Sequence, residues 1–253
     1  MFGQETNNES SAISNTVIKV KNAMAFEAAG KYESALTSIE EALSLQQDYV
    51  DAWLMKGILL GKLGRCNEAI KCYEKIIELN SSYVEAWRLK GATLVTLNKP
   101  EKAAECFAKA IELDPGDLEL HFSLATIFQK LKRFEDALKC YEKLLKQKPN
   151  DPRIHYLIGI TLGNEGNSEQ ALDYFEQALK LKPDFTEALI GKAVILGKLG
   201  RKEEAKLCAD KVLELKGEGK KEKPIQCTSM NDQIRQHYND AQKKFKSEYS
   251  PNP

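Results

Sequence analysis

Residues 50–83 read VDAWLMKGILLGKLGRCNEAIKCYEKIIELNSSY, and residues 84–117 read VEAWRLKGATLVTLNKPEKAAECFAKAIELDPGD. Laid one over the other without a gap, they place Trp53 on Trp87, Lys56-Gly57 on Lys90-Gly91, Leu60 on Leu94 and Ala69 on Ala103. Similarity at a fixed period marks a repeat architecture, so the period is followed outward first. Windows of equal length start at Thr16, Val50, Val84, Leu118, Pro152 and Thr186, with no insertion or deletion. The twentieth residue is alanine in all six: Ala35, Ala69, Ala103, Ala137, Ala171 and Ala205. The eighth is always small: Ala23, Gly57, Gly91, Ala125, Gly159 and Ala193. The eleventh is always large and apolar: Phe26, Leu60, Leu94, Phe128, Leu162 and Leu196. Four residues beyond the alanine stand Ile39, Tyr73, Phe107, Tyr141 and Phe175, until Ala209 ends the run.

Close packing explains the pattern. Two helices approach only where a small residue leaves room for a large one opposite. Gly30, Gly64, Gly166 and Gly200 fall where a first helix must end, as a left-handed cap requires, and Asn98 and Lys132 replace glycine in the other two windows. Pro115, Pro149 and Pro183 close the second helix. Each window therefore reads as a helix of about 13 residues, a tight turn and a second helix of similar length.

Trp53-x-x-Lys56-Gly57-x-x-Leu60 followed by Ala69-x-x-x-Tyr73, and Trp87-x-x-Lys90-Gly91-x-x-Leu94 followed by Ala103-x-x-x-Phe107 and Pro115, resemble the tetratricopeptide repeat. The resemblance covers residues 16–217. It implies an all-α, right-handed superhelical solenoid of six helix–turn–helix repeats, with the first helix of each pair lining a concave groove that holds peptides, helices or whole proteins. Departures are His121, His155, Leu189 and Lys19 where Trp53 and Trp87 stand, and Gln47, Ser81 and Gly217 where other windows have proline. A common specialisation of the family grips a C-terminal carboxylate with lysine and asparagine on successive groove helices. Val20, Met24, Leu54 and Ile58 occupy those places here, so no such clamp is expected.

Composition agrees with a binding scaffold. The 37 basic and 37 acidic residues balance, which argues against nucleic acid as the partner. No uninterrupted apolar stretch approaches the length of a membrane span, and the first residues lack a basic start followed by an apolar run. A soluble, cytoplasmic protein without membrane association is expected. Cys72, Cys106 and Cys140 stand at the same place in successive windows, with Cys208 at a multiple of the same period. Neighbouring repeats stack roughly 10 Å apart, too far for a disulfide, so these thiols read as small apolar fillers.

The expected organisation is a disordered segment over residues 1–15, six repeats (16–49, 50–83, 84–117, 118–151, 152–185 and 186–217), a charged linker over 218–228, a helix over 229–247 and a disordered tail over 248–253. The helix is read from Ile234, Tyr238, Ala241 and Phe245, one apolar stripe on a charged segment. Three states are open to it: capping the exposed face of the last repeat, occupying this protein's own groove or a partner's, or remaining free.

If the first helices line the groove, the fifth and ninth residues of each window form its floor. The expected partner-binding residues are Leu54, Ile58, Arg88, Phe122, Tyr156, Ile160 and Ile190, with Asp51, Glu85, Glu119, Glu187 and Arg153 as a rim. An apolar floor suits an amphipathic helix or an extended apolar segment, with Phe122 and Tyr156 as anchors. No catalytic residue, metal site or cofactor is expected. His121 and His155 take the tryptophan position of their windows and read as packing residues, and the glycines follow the repeat rather than a phosphate loop. The sequence thus points to a non-catalytic scaffold for a protein or peptide. A self-associating module and an accessory subunit of an enzyme complex are the alternatives.

Overall fold

The computed structural model describes residues 2–216, with side chains from Asn15 onward. The expected linker, helix 229–247 and tail lie outside the described residues. Among the described residues the chain is all α-helical: α1 (Phe2–Ala28), α2 (Tyr32–Leu45), α3 (Val50–Lys62), α4 (Cys66–Leu79), α5 (Val84–Thr96), α6 (Pro100–Leu113), α7 (Leu118–Lys130), α8 (Phe134–Gln147), α9 (Pro152–Glu165), α10 (Ser168–Leu181), α11 (Thr186–Lys198) and α12 (Lys202–Leu215). They form an all-α helical-repeat solenoid. The chain divides into two compact units, one up to Leu120 and one from His121. In the first, α1 packs on α2, α3 on α4 and α5 on α6, while α2 meets α3 and α4 meets α5. In the second, α9 packs on α10 and α11 on α12, α8 meets α9, α10 meets α11, and α9 also touches α11.

One device ends every first helix. Gly30, Gly64, Gly166 and Gly200 have φ of 71°, 74°, 107° and 76°, and Asn98 and Lys132 take the same left-handed conformation at 55° and 58°. The next residue's amide then reaches back to the carbonyl of the large eleventh residue: Lys31 to Phe26, Arg65 to Leu60, Lys99 to Leu94, Arg133 to Phe128, Asn167 to Leu162 and Arg201 to Leu196, at 2.8–2.9 Å. That bond satisfies a carbonyl the helix would otherwise orphan.

The small-against-large pairing holds the two helices of a repeat together. A Cβ on Gly57 would stand 2.5 Å from the Tyr73 ring, one on Gly91 3.1 Å from Phe107, and one on Gly159 2.9 Å from Phe175. Those three rings are buried, as are the alanines Ala35, Ala69, Ala103, Ala137 and Ala171. Each buried ring contributes roughly 1.5–3 kcal/mol. Polar ties recur between repeats at one register: Lys56 to Glu40 at 3.0 Å, Lys90 to Glu74 at 2.9 Å and Lys192 to Glu176 at 2.8 Å. Partial exposure limits each to under about 1 kcal/mol.

The amino-terminal expectation needs correction. Disorder was expected over residues 1–15, yet α1 runs from Phe2 as one helix of 27 residues. No proline interrupts it. Once the first repeat supplies a packed nucleus, each residue added backwards costs far less than starting a helix afresh.

Candidate partner-binding face

A helix has 3.6 residues per turn, so the second, fifth, ninth and thirteenth residues of a window share a stripe beside the small eighth residue that meets the second helix. The structure divides the seven expected residues between the two units: Leu54, Ile58 and Arg88 in the first, Phe122, Tyr156, Ile160 and Ile190 in the second.

In the first unit the stripe is partly open. Met24, the ninth residue of its window, is 56% exposed. Leu54 and Ile58 on α3 and Ala92 on α5 are half-buried. Leu54 leans on a core that includes Tyr73, Ile76 and the partly buried Tyr83. Arg88 differs from its expected role as a lone charge on the floor. Its guanidinium is gripped by both oxygens of Glu85, one turn back on the same helix, with Nε 2.7 Å from Oε2. The hydrogen bond that Arg88 donates to Glu85, against a smaller cost of burial, raises the Arg88 pKa, and the charges of Glu85, Glu119 and Asp117 add to it. With Asp51 also exposed on α3, the rim of this unit is acidic. The Glu85–Arg88 spacing is the one signal that would have revealed the pairing beforehand.

In the second unit the same stripe is closed. Phe122 is half-buried, its ring edge-on to Tyr141 at 6.5 Å. Tyr156 and Ile160 are each 4% exposed and Ile190 6%. Tyr156 lies 5.2 Å from the Phe185 ring and 6.1 Å from Phe175. Ile190 joins Leu189 and Val212 in a small core. These three residues offer no open surface, and nearby α9 and α11 approach closely, since a Cβ on Gly163 would come within 2.7 Å of Ile195. Arg153, at the rim, is tied to Asp151 at 2.7 Å, and this bond holds the Asp151 carboxyl below its usual range.

Trp53 and Trp87 each donate their indole N–H to the carbonyl six residues back, Gln47 at 2.7 Å and Ser81 at 3.0 Å. His155 makes the same bond, Nε2 to the Pro149 carbonyl at 2.8 Å. A carbonyl only accepts, so the proton sits on Nε2, and the histidine substitutes for tryptophan in tying one repeat to the next. Cys72, Cys106 and Cys140 are buried free thiols. Burial pushes Cys72 and Cys140 up to about 11, away from the reactive thiolate. No group of three metal-ligating side chains occurs among the described residues, and no described helix is long and apolar enough to cross a membrane.

Models of the tetratricopeptide repeat match residues 20–60 and 54–117, 94–159, 152–185 and 186–218. The chain belongs to the tetratricopeptide repeat family. No curated protein sequence matches it. Solved structures do. The MamA protein is 22% identical, with a TM-score of 0.61 over 67% of this chain and 92% of that one. YrrB, described as a TPR protein with an unusual peptide-binding site, is 23% identical, with a TM-score of 0.60 over 71% and 92%. MamA from residue 41 to the end, from Desulfovibrio magneticus RS-1, is 19% identical, with a TM-score of 0.61 over 68% and 97%. At these identities the likeness is one of fold. In this tetratricopeptide repeat protein, the sequence reading missed the Lys–Glu ties between repeats and the Phe185 cover over Tyr156. Lysine at the seventh place of three windows, with glutamate sixteen residues earlier, was the signal for the first. An aromatic near the last place of a window, as at Tyr49 and Tyr83, was the signal for the second.

Proposed function

We propose that this protein is a non-catalytic scaffold that holds a segment of a partner protein on the inner stripe of its first unit. The observation that carries the reading is the partly open apolar stripe of Met24, Leu54 and Ile58 beside an acidic rim, in a fold shared with a peptide-binding relative. An apolar floor with acidic edges suits an amphipathic segment with basic flanks. Arg88 then acts through Glu85 as part of the rim rather than as a grip for acids.

The test is a quantitative pull-down from native lysate that compares wild type with a Met24→Asp, Ile58→Asp double variant. A partner lost from the variant at unchanged helicity supports the reading. The same partners from both proteins would move binding off this stripe. A second reading, pairing of two copies through the last helix, rests on Leu207 and Leu215 of α12, which are 69% and 45% exposed. Mass that rises with concentration in light scattering, and that Leu207→Lys abolishes, would favour it.

A further inference from the structure

We infer that matched side chains at two places in the repeat form a stacking code, which sets the first helix that each second helix accepts. The two places are the twenty-fourth residue of one window and the tenth residue of the next.

The five junctions read Ile39 with Leu59, Tyr73 with Thr93, Phe107 with Ile127, Tyr141 with Thr161 and Phe175 with Ile195. A hydroxyl always answers a hydroxyl and a hydrocarbon a hydrocarbon, and the two kinds alternate along the chain. Each compact unit contains both kinds. In the first, Ile39 and Leu59 are fully buried in one core, while Tyr73, 2% exposed, is hydrogen-bonded to Thr93. In the second, the Tyr141 hydroxyl donates to Gln129 Oε1 at 3.2 Å, Gln129 Nε2 donates to Thr161 Oγ1 at 2.5 Å, and Thr161 Oγ1 donates to the Leu157 carbonyl at 2.7 Å. Tyr141 and Thr161 are both fully buried, and Phe175 and Ile195, one junction on, are buried as well.

The helix pair itself does not demand the alternation. Gly57 lies under Tyr73 as Gly159 lies under Phe175, so the small-against-large packing accepts either ring. The hydroxyls matter for a different reason. A buried hydroxyl without a partner loses its hydration and gains nothing in return, whereas phenylalanine and isoleucine in the same places need no partner.

The alternation therefore penalises a slip. Repeats of one length and one pattern can stack out of order, or onto another copy, and such misassembly is the characteristic failure of repeat chains. If every second helix skipped one repeat, Ile39 would face Thr93, Tyr73 would face Ile127, Phe107 would face Thr161 and Tyr141 would face Ile195. Each of these pairs is mismatched, and two of them orphan a buried tyrosine hydroxyl. The next matched first helix lies two repeats beyond the correct one. Order matters to binding because it decides which residues stand side by side on the inner stripe, whatever partner they meet.

The first experiment is a pair of double-mutant cycles in the full chain, read by urea unfolding. Tyr73→Phe and Thr93→Ile should each lower the midpoint, Thr93→Ile the more because it orphans the tyrosine hydroxyl. Together they should recover most of the loss. Phe175→Tyr and Ile195→Thr should likewise cost separately and recover together. Additive losses in either cycle would overturn the inference, as would equal recovery when Thr93→Ile is combined with Tyr141→Phe from the other unit. The second experiment erases the code. Tyr73→Phe, Thr93→Ile, Tyr141→Phe and Thr161→Ile, with Gln129→Val as at Val95, make all five junctions apolar in one full chain. Refolded from urea over a range of protein concentrations and followed by size-exclusion chromatography, that chain should form more misassembled oligomer than wild type. A chain that refolds as cleanly as wild type, or that no longer folds, would overturn the ordering role.

Discussion

α3 and α9 are one element of the repeat written twice, and they meet their surroundings differently. Each places a glycine under an aromatic ring, Gly57 under Tyr73 and Gly159 under Phe175. Each ends in a left-handed glycine, Gly64 and Gly166. Yet α3 keeps Leu54 and Ile58 half-open while α9 hides Tyr156 and Ile160. The repeat period governs the side of the helix that packs within the stack. It leaves the inner side free to vary, and there function can diverge between repeats of the same backbone.

The comparison breaks most visibly at Tyr156. Tyr156→Ala should destabilise by about 3–5 kcal/mol, the usual cost of emptying a buried aromatic site, whereas Ile58→Ala should cost about 1–2 kcal/mol because its side chain is only half removed from water. Urea unfolding followed by far-UV circular dichroism would show it as a much larger fall in midpoint for the first variant. Equal falls would mean that the two stripes are equivalent.

Gly57→Ala sharpens the part that the helices share. Its Cβ meets the Tyr73 ring at 2.5 Å, so overpacking should cost about 1–3 kcal/mol. Gly61→Ala, four residues on with nothing within 4 Å, should instead stabilise by about 0.4–1 kcal/mol. Opposite shifts in melting temperature are the expected outcome.

Alkaline pH tests the thiol ladder. Cys72 and Cys140 are raised from 9.0 to about 11 by burial, so folding favours their neutral form. Their contribution is complete below pH 9 and is lost as pH rises from 9 toward 11. Cys72→Ala, Cys140→Ala protein should lose less stability over that interval than wild type. A similarly small effect belongs to Lys132, which holds φ of 58° without being glycine. Lys132→Gly should stabilise by about 0.5–1 kcal/mol, read as a small rise in melting temperature.

Much of the fold was legible because it depends on residues that recur. The left-handed caps showed as glycines at a fixed place, and their two substitutes Asn98 and Lys132 showed by falling there. His155 read as a packing residue from its tryptophan position, whereas its bond to the Pro149 carbonyl came only from the structure. The backward run of α1 to Phe2 was hidden, since polar composition says nothing of helix propagation from a packed neighbour. The candidate site was less legible. Periodicity placed Tyr156, Ile160 and Ile190 on the stripe but gave no measure of their burial, which depends on what lies over them. Arg88 looked like a bare charge until Glu85 was seen to hold it.

Hydroxyl-radical footprinting of the full chain, read residue by residue, tests the central claim most directly. Met24, Leu54 and Ile58 should be oxidised readily, Tyr156 and Ile160 slowly, and a bound partner should protect the first set. Equal oxidation of the two stripes, or a partner that protects neither, would contradict the account.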